Sequence, residues 1–497
     1  MELLFPEETI QHIQSFLNAK EAAQTPLLSK SWYTAWLTRP NLYFDQQHFV
    51  SDDHFWEFVN NILQRYHKLN LTIHSFHLWI LHVPEHSHSL VNKLIITALQ
   101  MGATDLDFKI YRPNFEFALP HQVFAFQDLT RLSVSGCKID KREVVRCSRL
   151  KSLVLEGIII GVKLLWDIIS CCPSIENFSF FNIRRPLYSK YFHFGLQHVS
   201  YDEAGLPNAF HKLKRLLLYL VNFDYAYFDD FSSKFPCLED LAFHNCNGGR
   251  EVMKISSPSL QRITYTDDEC RVIRLEFDVP RICKFTFSGI DVPLLSFKSS
   301  STRIWESDIS IQYEYPPHGG RFLKLRELLK ELSLSKVSLS LKFMSDKIYA
   351  CKAYFRDVTD KPEVENLTVM GPQALDSVVF NTLFRCCCPI YVSRYVFPKK
   401  CTGGELKSKR KRKGKKCTDG EEQYDFSKMI QQVSLNSCIA YQRMAQEGES
   451  DLEEVRVEFY DESVSAWSPR LLDTSTALEA AADDDEHRIR LHLIWGR

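Results

Sequence analysis

A chain of 497 residues with 45% hydrophobic content can hold a substantial core or a long solenoid, and its formal net charge of −1 gives no global pull toward nucleic acid or membrane. Its 15 cysteines have no regular spacing, which argues for reduced thiols in a nuclear or cytoplasmic protein and against a disulfide framework. Pro6, Glu7 and Glu8 interrupt the start without a basic stretch, unlike a secretory leader, and Leu153 to Trp166 is broken by Glu156 and Lys163, so a soluble chain without membrane spans is expected.

The first predicted element is a helix of about three turns. Pro6 suits its opening turn, and Glu7 and Glu8 follow where the helix dipole favours acids. Ile10, Ile13 and Leu17 recur at helical spacing beside Phe16, leaving Gln11, His12 and Gln14 outward. Asn18 can end this helix, and Lys20 to Gln24 can form a short second one. Thr25-Pro26 then reads as a cap and first turn of a third, on which Leu28, Trp32 and Trp36 share a stripe. So short a segment cannot bury two tryptophans within itself, so the stripe needs a partner, either the following domain or another protein.

This segment resembles an F-box, the docking module of substrate receptors in cullin-based ubiquitin ligases. Phe5-Pro6-Glu7-Glu8 stands where that family has Leu-Pro and acids, Ile13 and Leu17 match its first-helix apolar positions, and Leu28-Ser29-Lys30-Ser31-Trp32 matches its second signature. The resemblance implies that Phe5, Pro6, Ile10, Ile13, Leu17, Leu28, Ser29 and Trp32 bind a Skp-type adaptor, which brings the cullin. Phe5 for leucine, Thr9 at a commonly apolar position and Ala22-Ala23 for a bulkier pair reduce contact area, so modest affinity is expected. The residues themselves also allow a helical cap that shields a repeat array from solvent; Trp36 is expected to make the internal contact either way.

Residues 46–120 read as a helical or irregular connection. A cluster of His74, His77, His82, His86 and His88 lies within it, and surface histidines rather than metal ligands are expected there. From 121 to 398 an L-x-x-L-x-L pattern recurs, at Leu129-Leu132-Val134, Leu150-Leu153-Leu155, Ile175-Phe178-Phe180, Leu213-Leu216-Leu218 and Leu238-Leu241-Phe243. It continues at Leu260-Ile263-Tyr265, Val272-Leu275-Phe277, Ile282-Phe285-Phe287, Leu329-Leu332-Leu334 and Val364-Leu367-Val369. Each copy predicts a short strand with one buried face, and Cys137 and Asn245-Cys246 stand near the Asn/Cys ladder position of leucine-rich repeats. Val162 to Cys171 can return the chain as helix or loop. After Leu260 two steps shorten to about ten to twelve residues, where the regular repeat is expected to degrade into strand-to-strand connections.

The fold class that follows is an α+β or α/β repeat protein: an N-terminal F-box-like helical module over residues 1–45, then an irregular leucine-rich-repeat solenoid with parallel strands. With residues 257 to 289, this order of parts resembles plant F-box proteins with leucine-rich repeats, and the C-terminal region weakly resembles the FBD region of the same family. Outward positions between the framework residues form the expected recognition row, in which Phe181, Tyr219 and His244 stand out as target contacts, or as cross-strand packing.

A charged linker follows over 399–425. Its run Lys407 to Lys416, centred on Lys409, Arg410, Lys411, Arg412 and Lys413, is expected to be a disordered insertion and reads as a nuclear-import signal, a nucleic-acid patch or a solvated loop; without interleaved aromatics nucleic acid is the weakest of these. The last module, 426–497, is expected to be α+β, with a helix near Ile430 to Ile439 and strands at Leu452 to Phe459 and Ile489 to Trp495. No phosphate-binding glycine loop, zinc helix or Cys-x-x-Cys pair occurs, and Cys171-Cys172 and Cys386-Cys387-Cys388 suit tetrahedral zinc poorly. A non-catalytic receptor that uses no cofactor or metal is therefore expected, with an unidentified target protein. The alternative is a repeat scaffold or nuclear interaction protein acting outside ubiquitin ligases.

Overall fold

The structure, a computed structural model, describes residues 5–396 except 18, 141–146, 183–191, 194–209, 223–230, 247–251, 269–273, 299–303, 315–318, 345–360 and 372–375, and then 452–461, 466–470 and 489–495. The basic run at Lys409 to Lys413 and the helix expected near Ile430 to Ile439 lie outside the described residues. The chain divides into two compact units, Met1–Arg250 with Lys254–Arg262, and Glu251–Met253 with Ile263–Arg497.

The first unit begins with three short helices, α1 (Glu7–Ser15), α2 (Ala19–Gln24) and α3 (Lys30–Thr38). Pro6 sits at the N-cap of α1, and its carbonyl accepts from the amides of Thr9 and Ile10 at 3.0 and 3.2 Å. The third helix does not start at Thr25-Pro26. Those residues form a 3-10 turn, Thr25–Leu27, and α3 starts after Ser29, whose hydroxyl accepts from the amide of Trp32 at 3.4 Å. The reason is local: the Thr25 hydroxyl donates to the Ala22 carbonyl at 2.8 Å and accepts from Gln14 Nε2 at 2.8 Å, so it is engaged with α1 and α2 instead of capping a new helix.

Two longer amphipathic helices follow, α4 (Asp52–Lys68) and α5 (His88–Gln100). Ser51 caps α4 through the amide of His54, and Asp52 and Asp53 occupy its positive end. Phe55, Val59, Ile62, Leu63 and Tyr66 on α4, and Val91, Leu94, Ile95, Ala98 and Leu99 on α5, are buried. Before, between and after these helices lie strands β1 (Asn41–Asp45), β2 (Ser75–Ile80), β3 (Asp105–Ile110) and β4 (Arg131–Ser135). Each pairs in parallel with the next, and the series continues through Ser152–Glu156, Asn177–Phe181, Arg215–Tyr219 and Asp240–His244.

The repeat sheet therefore starts at Asn41, inside the module boundary at 45 and through the segment 46–120 that reads from sequence as a connection. The helices α4 and α5 lengthen these first repeats to about 30 residues, beyond the shorter spacing of the later copies, so a search for one period misses them. The template is nonetheless present in Ile73-Phe76-Leu78, all three buried. Stacking fills one continuous core with Leu106, Phe108, Leu132, Val134, Leu153, Leu155, Phe178, Phe180, Leu216 and Leu218, each contributing about 1.5–3 kcal/mol if counted as transfer from water. Between repeats, Cys246 Sγ donates to the Leu218 carbonyl at 3.3 Å and Cys147 Sγ to that of Phe124 at 3.2 Å.

In the second unit the shortened steps have a different meaning from decay of the repeat. Strands at Arg262–Asp267 and Lys284–Gly289 are neighbours in the large sheet, while Arg274–Asp278 and Leu294–Phe297 pair in parallel in a separate small sheet. Each full repeat still takes about 20 to 22 residues, with a strand in place of the returning helix. Phenylalanines pack the space between: Phe277 lies 5.8 Å from Phe285 and 5.5 Å from Phe297 between ring centres. Tyr265 stacks on Phe287 at 6.3 Å.

Parallel pairing continues from Lys284–Gly289 through Trp305–Tyr313, Ser335–Phe343, Glu363–Gly371 and Cys388–Val396. Leu329-Leu332-Leu334 is not a strand: Leu329 belongs to the helix Gly319–Glu331, and the strand begins at Ser335 with Val337, Leu339 and Leu341 inward. The i, i+3 spacing of leucines fits a helix end as well as the repeat template, which is why the sequence misplaces it. The strand Ile489–Trp495 pairs antiparallel with Cys388–Val396 and with Leu452–Asp461, so these C-terminal strands extend the repeat sheet rather than stand apart from it.

Candidate functional site

The helical module has an inner side and an outer side. Ile10, 1% exposed, packs inward with Ala22 and Ala35. Gln14, also buried, donates through Nε2 to the Thr25 hydroxyl at 2.8 Å and to the Trp32 carbonyl at 3.2 Å, which ties α1 to the 3-10 turn and to α3. Glu7 accepts from the hydroxyl of Thr38, closing the far end. The outer side carries Phe16, Leu27 and Leu28, exposed at 76, 88 and 67%, with Phe5 and Tyr33 also exposed and Ile13, Leu17 and Trp32 half-buried.

Two of the residues assigned to adaptor contact serve the module instead. Ile10 is core, and Ala22, read as a reason for modest affinity, is core beside it. Ser29 spends its hydroxyl on capping α3. Gln14, placed outward by periodicity, is a buried polar lock. Leu27, Phe16 and Tyr33 are exposed apolar residues that the motif match passed over, though Leu27 stands next to the signature residue Leu28.

Trp36 is half-buried at the junction with the repeats, with the Arg39 guanidinium 5.4 Å over its ring. There Tyr66 donates to the Arg39 carbonyl at 2.5 Å, and Arg65 donates to the Leu37 carbonyl at 3.0 Å. These bonds join α4, the first repeat helix, to the end of α3.

On the outward face of the strands, register sorts the side chains into rows. One row runs Asp45, Trp79, Lys109, Ser135, Glu156, Phe181, Tyr219 and His244. The three residues expected to contact a target thus stand side by side: Phe181 and Tyr219 ring centres are 6.2 Å apart, as are those of Tyr219 and His244. All three are half-buried, and they form a ring ladder across neighbouring repeats. The next row runs Tyr43, His77, Asp107, Ser133, Val154, Ser179, Leu217 and Ala242.

The N-terminal end of these rows holds a cluster that the sequence reading did not assemble. Tyr43 and Trp79 meet at 4.9 Å with an interplanar angle of 77°, and Trp79 and Tyr111 at 6.3 Å and 89°. Asp45 accepts from both Tyr43 and Tyr111, at 3.4 and 3.1 Å, and Asp107 accepts from Trp79 Nε1 at 3.1 Å. Burial, and then the negative charge of Asp45, push the Tyr111 phenol up to about 12 and the Tyr43 phenol higher. Both phenols therefore keep their protons. The alternation Phe76-Leu78-Ile80 would have placed His77 and Trp79 on the outward face.

In the second unit the corresponding face is built of small polar side chains. Thr286, Asp308, Ser338 and Asn366 form one row, and Ser288, Ser310, Ser340 and Thr368 the next. They line a shallow depression of about 240 Å³. Among the described residues no group of three or more His, Cys, Asp or Glu is placed to hold a metal ion, and no helix is long and apolar enough to cross a membrane.

Comparison with known proteins agrees with the repeat architecture. Residues 91–193 match the family model described as FBD-associated F-box protein At5g56370, LRR repeats. The chain is 28% identical over 283 residues to the putative F-box/LRR-repeat protein At5g41840 of Arabidopsis thaliana, covering 53% of this chain and 49% of that protein. It is 30% identical over 182 residues to the F-box/LRR-repeat protein At4g14096 of the same plant, covering 35% and 38%, and 26% identical over 297 residues to the F-box/LRR-repeat protein At3g59210, covering 54% and 57%. The matched region spans about half the length, or less, of the first two relatives. With parallel strands stacked repeat on repeat, and the family model matching within them, the chain is similar to the F-box/LRR-repeat proteins of Arabidopsis thaliana.

Proposed function

We propose that this protein is a non-catalytic substrate receptor of a cullin-based ubiquitin ligase. Its helical module docks a Skp-type adaptor, which links it to the cullin, and the outward strand face holds a target protein. In this reading the chain contributes proximity and orientation, while a conjugating enzyme brought by the complex supplies the chemistry. Nuclear and cytoplasmic sites of action both fit, with Lys409 to Lys413 as the import signal.

The observation that carries the reading is the exposed apolar outer side of the module. Leu27 and Leu28 are exposed at 88 and 67% although the repeats begin immediately after α3. Helices serving only as a cap would turn these leucines against the first repeat, and here Ile10 and Ala35 are buried while the leucines are left to solvent.

The test is co-purification of the full chain with a Skp-type adaptor and cullin. Wild type should retain both, and Leu28→Ala combined with Trp32→Ala should lose both. Retention by the double variant would discard the docking surface and leave a repeat scaffold acting outside ubiquitin ligases.

A further inference from the structure

The cluster at Tyr43, Trp79 and Tyr111 has the construction of a site for a cation. Its rings stand close to right angles, at 77° and 89°, so that faces and edges enclose a corner rather than a flat patch. All three carry an N–H or O–H donor, and all three donors point to carboxylates, two to Asp45 and one to Asp107. A phenol or indole donating to a carboxylate gains electron density in its ring, which strengthens the attraction of the ring face for positive charge.

A cation is already there. Lys109 Nζ lies 5.8 Å from the centre of the Trp79 ring and 5.4 Å from that of Tyr111. It forms no ion pair among the described residues, although Asp107 is on the same strand and face. The neighbouring Asp105 is engaged by Arg131 at 3.8 Å and faces His77 at 3.9 Å. The two carboxylates, Asp45 and Asp107, outnumber the one lysine in the corner, and Asp45 also faces the exposed His48 imidazole at 3.7 Å. The Tyr43, Trp79, Lys109 and Tyr111 side chains are all half-buried and lie on the outward face of the first three repeats.

We infer that this corner binds a lysine or arginine side chain of a protein partner, and that Lys109 is a displaceable internal occupant that fills the corner until the partner arrives. The inference rests on the reading of the strand face as the target-binding surface. It adds the chemistry of one anchor: a basic residue on the target that seats at the end nearest the helical module. The rings fix their own geometry through Asp45 and Asp107, so exchange of one ammonium for another requires only a swing of the flexible Lys109 side chain.

The test uses the full chain labelled with 5-fluorotryptophan, in which the Trp79 fluorine signal is identified by its loss in Trp79→Phe. Tetramethylammonium chloride is titrated against it, with sodium acetate at matched ionic strength as the control. A saturable shift of the Trp79 signal with tetramethylammonium is expected, tightening roughly tenfold in Lys109→Met as the internal competitor is removed, and weakening in Tyr43→Leu. Three results would overturn the inference: no saturable shift in wild type or Lys109→Met, equal affinity in both, or a saturable shift with acetate in place of the ammonium. Adaptor co-purification with the same preparations separates the two readings, since loss of the cation site leaves α1 to α3 intact. Probe binding without any adaptor binding would keep the cation site and discard the ligase.

Discussion

The buried amide of Gln14 ties together the helices that carry the proposed docking surface, and Gln14→Ala tests that role. The side chain donates two hydrogen bonds, to Thr25 and to the Trp32 carbonyl, and each such bond is worth about 1 kcal/mol net. Truncation also leaves a small void between α1 and α3, worth about 1 kcal/mol more. Against this, Gln14 Oε1 is buried without a hydrogen-bond partner among the described residues, and its removal returns about 1 kcal/mol. The balance is a loss of about 2 kcal/mol, roughly a 30-fold rise in the local opening constant. Hydrogen exchange followed by mass spectrometry should show that acceleration for amides of residues 7–38 and none for the strands from Ser75 onward, because the lock joins only the helices of the module. Unchanged exchange in residues 7–38 would refute the role of Gln14. Acceleration spread equally through the strands would show that module and repeats unfold as one.

Three further outcomes are expected. Leu27→Ala and Leu28→Ala should each weaken adaptor binding about tenfold, as loss of roughly 1–2 kcal/mol of apolar contact requires. Their melting temperature should stay within about 1–2 °C of wild type, because both side chains are exposed; calorimetric titration with a matching thermal melt checks both parts. Gly136→Ala should destabilise by more than about 2 kcal/mol in urea, since Gly136 has φ +79° and an added Cβ would lie 2.5 Å from the Ile110 carbonyl oxygen; Gly161→Ala, with open space around it, is the control. Cys137, Cys147 and Cys386 have thiols pushed up to about 12, each chiefly by burial. A thiol raised in the folded state stays protonated while the unfolded chain loses its proton near its ordinary value of about 8.5, so stability should fall as pH rises from there toward 12. A urea midpoint flat between about pH 8 and pH 10 would contradict this, and among the described cysteines maleimide labelling of the native chain should mark Cys171, Cys237 and Cys283 and spare the buried thiols.

Legibility differs along the chain for physical reasons. Strands at Leu132, Leu153, Phe178, Leu216 and Leu241 were readable because a residue buried every second position leaves a binary pattern. The same rule gave the alignment of Phe181, Tyr219 and His244 once parallel register was granted. The repeats at Ser75 and Asp105 were hidden by α4 and α5, which stretch the period without altering the strands. The Val272-Leu275-Phe277 copy reads as a strand, and the structure has the strand Arg274–Asp278 in the separate small sheet, a placement the sequence leaves open because alternation fixes which face is buried and says nothing of which strand lies alongside.

By itself, the sequence determined the parts: short helices with an apolar stripe, alternating strands at a sustained spacing, and an F-box-like signature at Leu28 to Trp32. Those are properties of neighbours three or four residues apart on helices and two apart on strands, set by backbone geometry alone. Only the tertiary structure decided how the apolar stripe divides, with Ile10 and Ala35 turned in and Leu27 and Leu28 turned out. It alone brought Asp45, Tyr43, Trp79, Asp107, Lys109 and Tyr111 into one corner, because cross-strand pairing joins positions some 30 residues apart whose spacing depends on helix length and leaves no local mark.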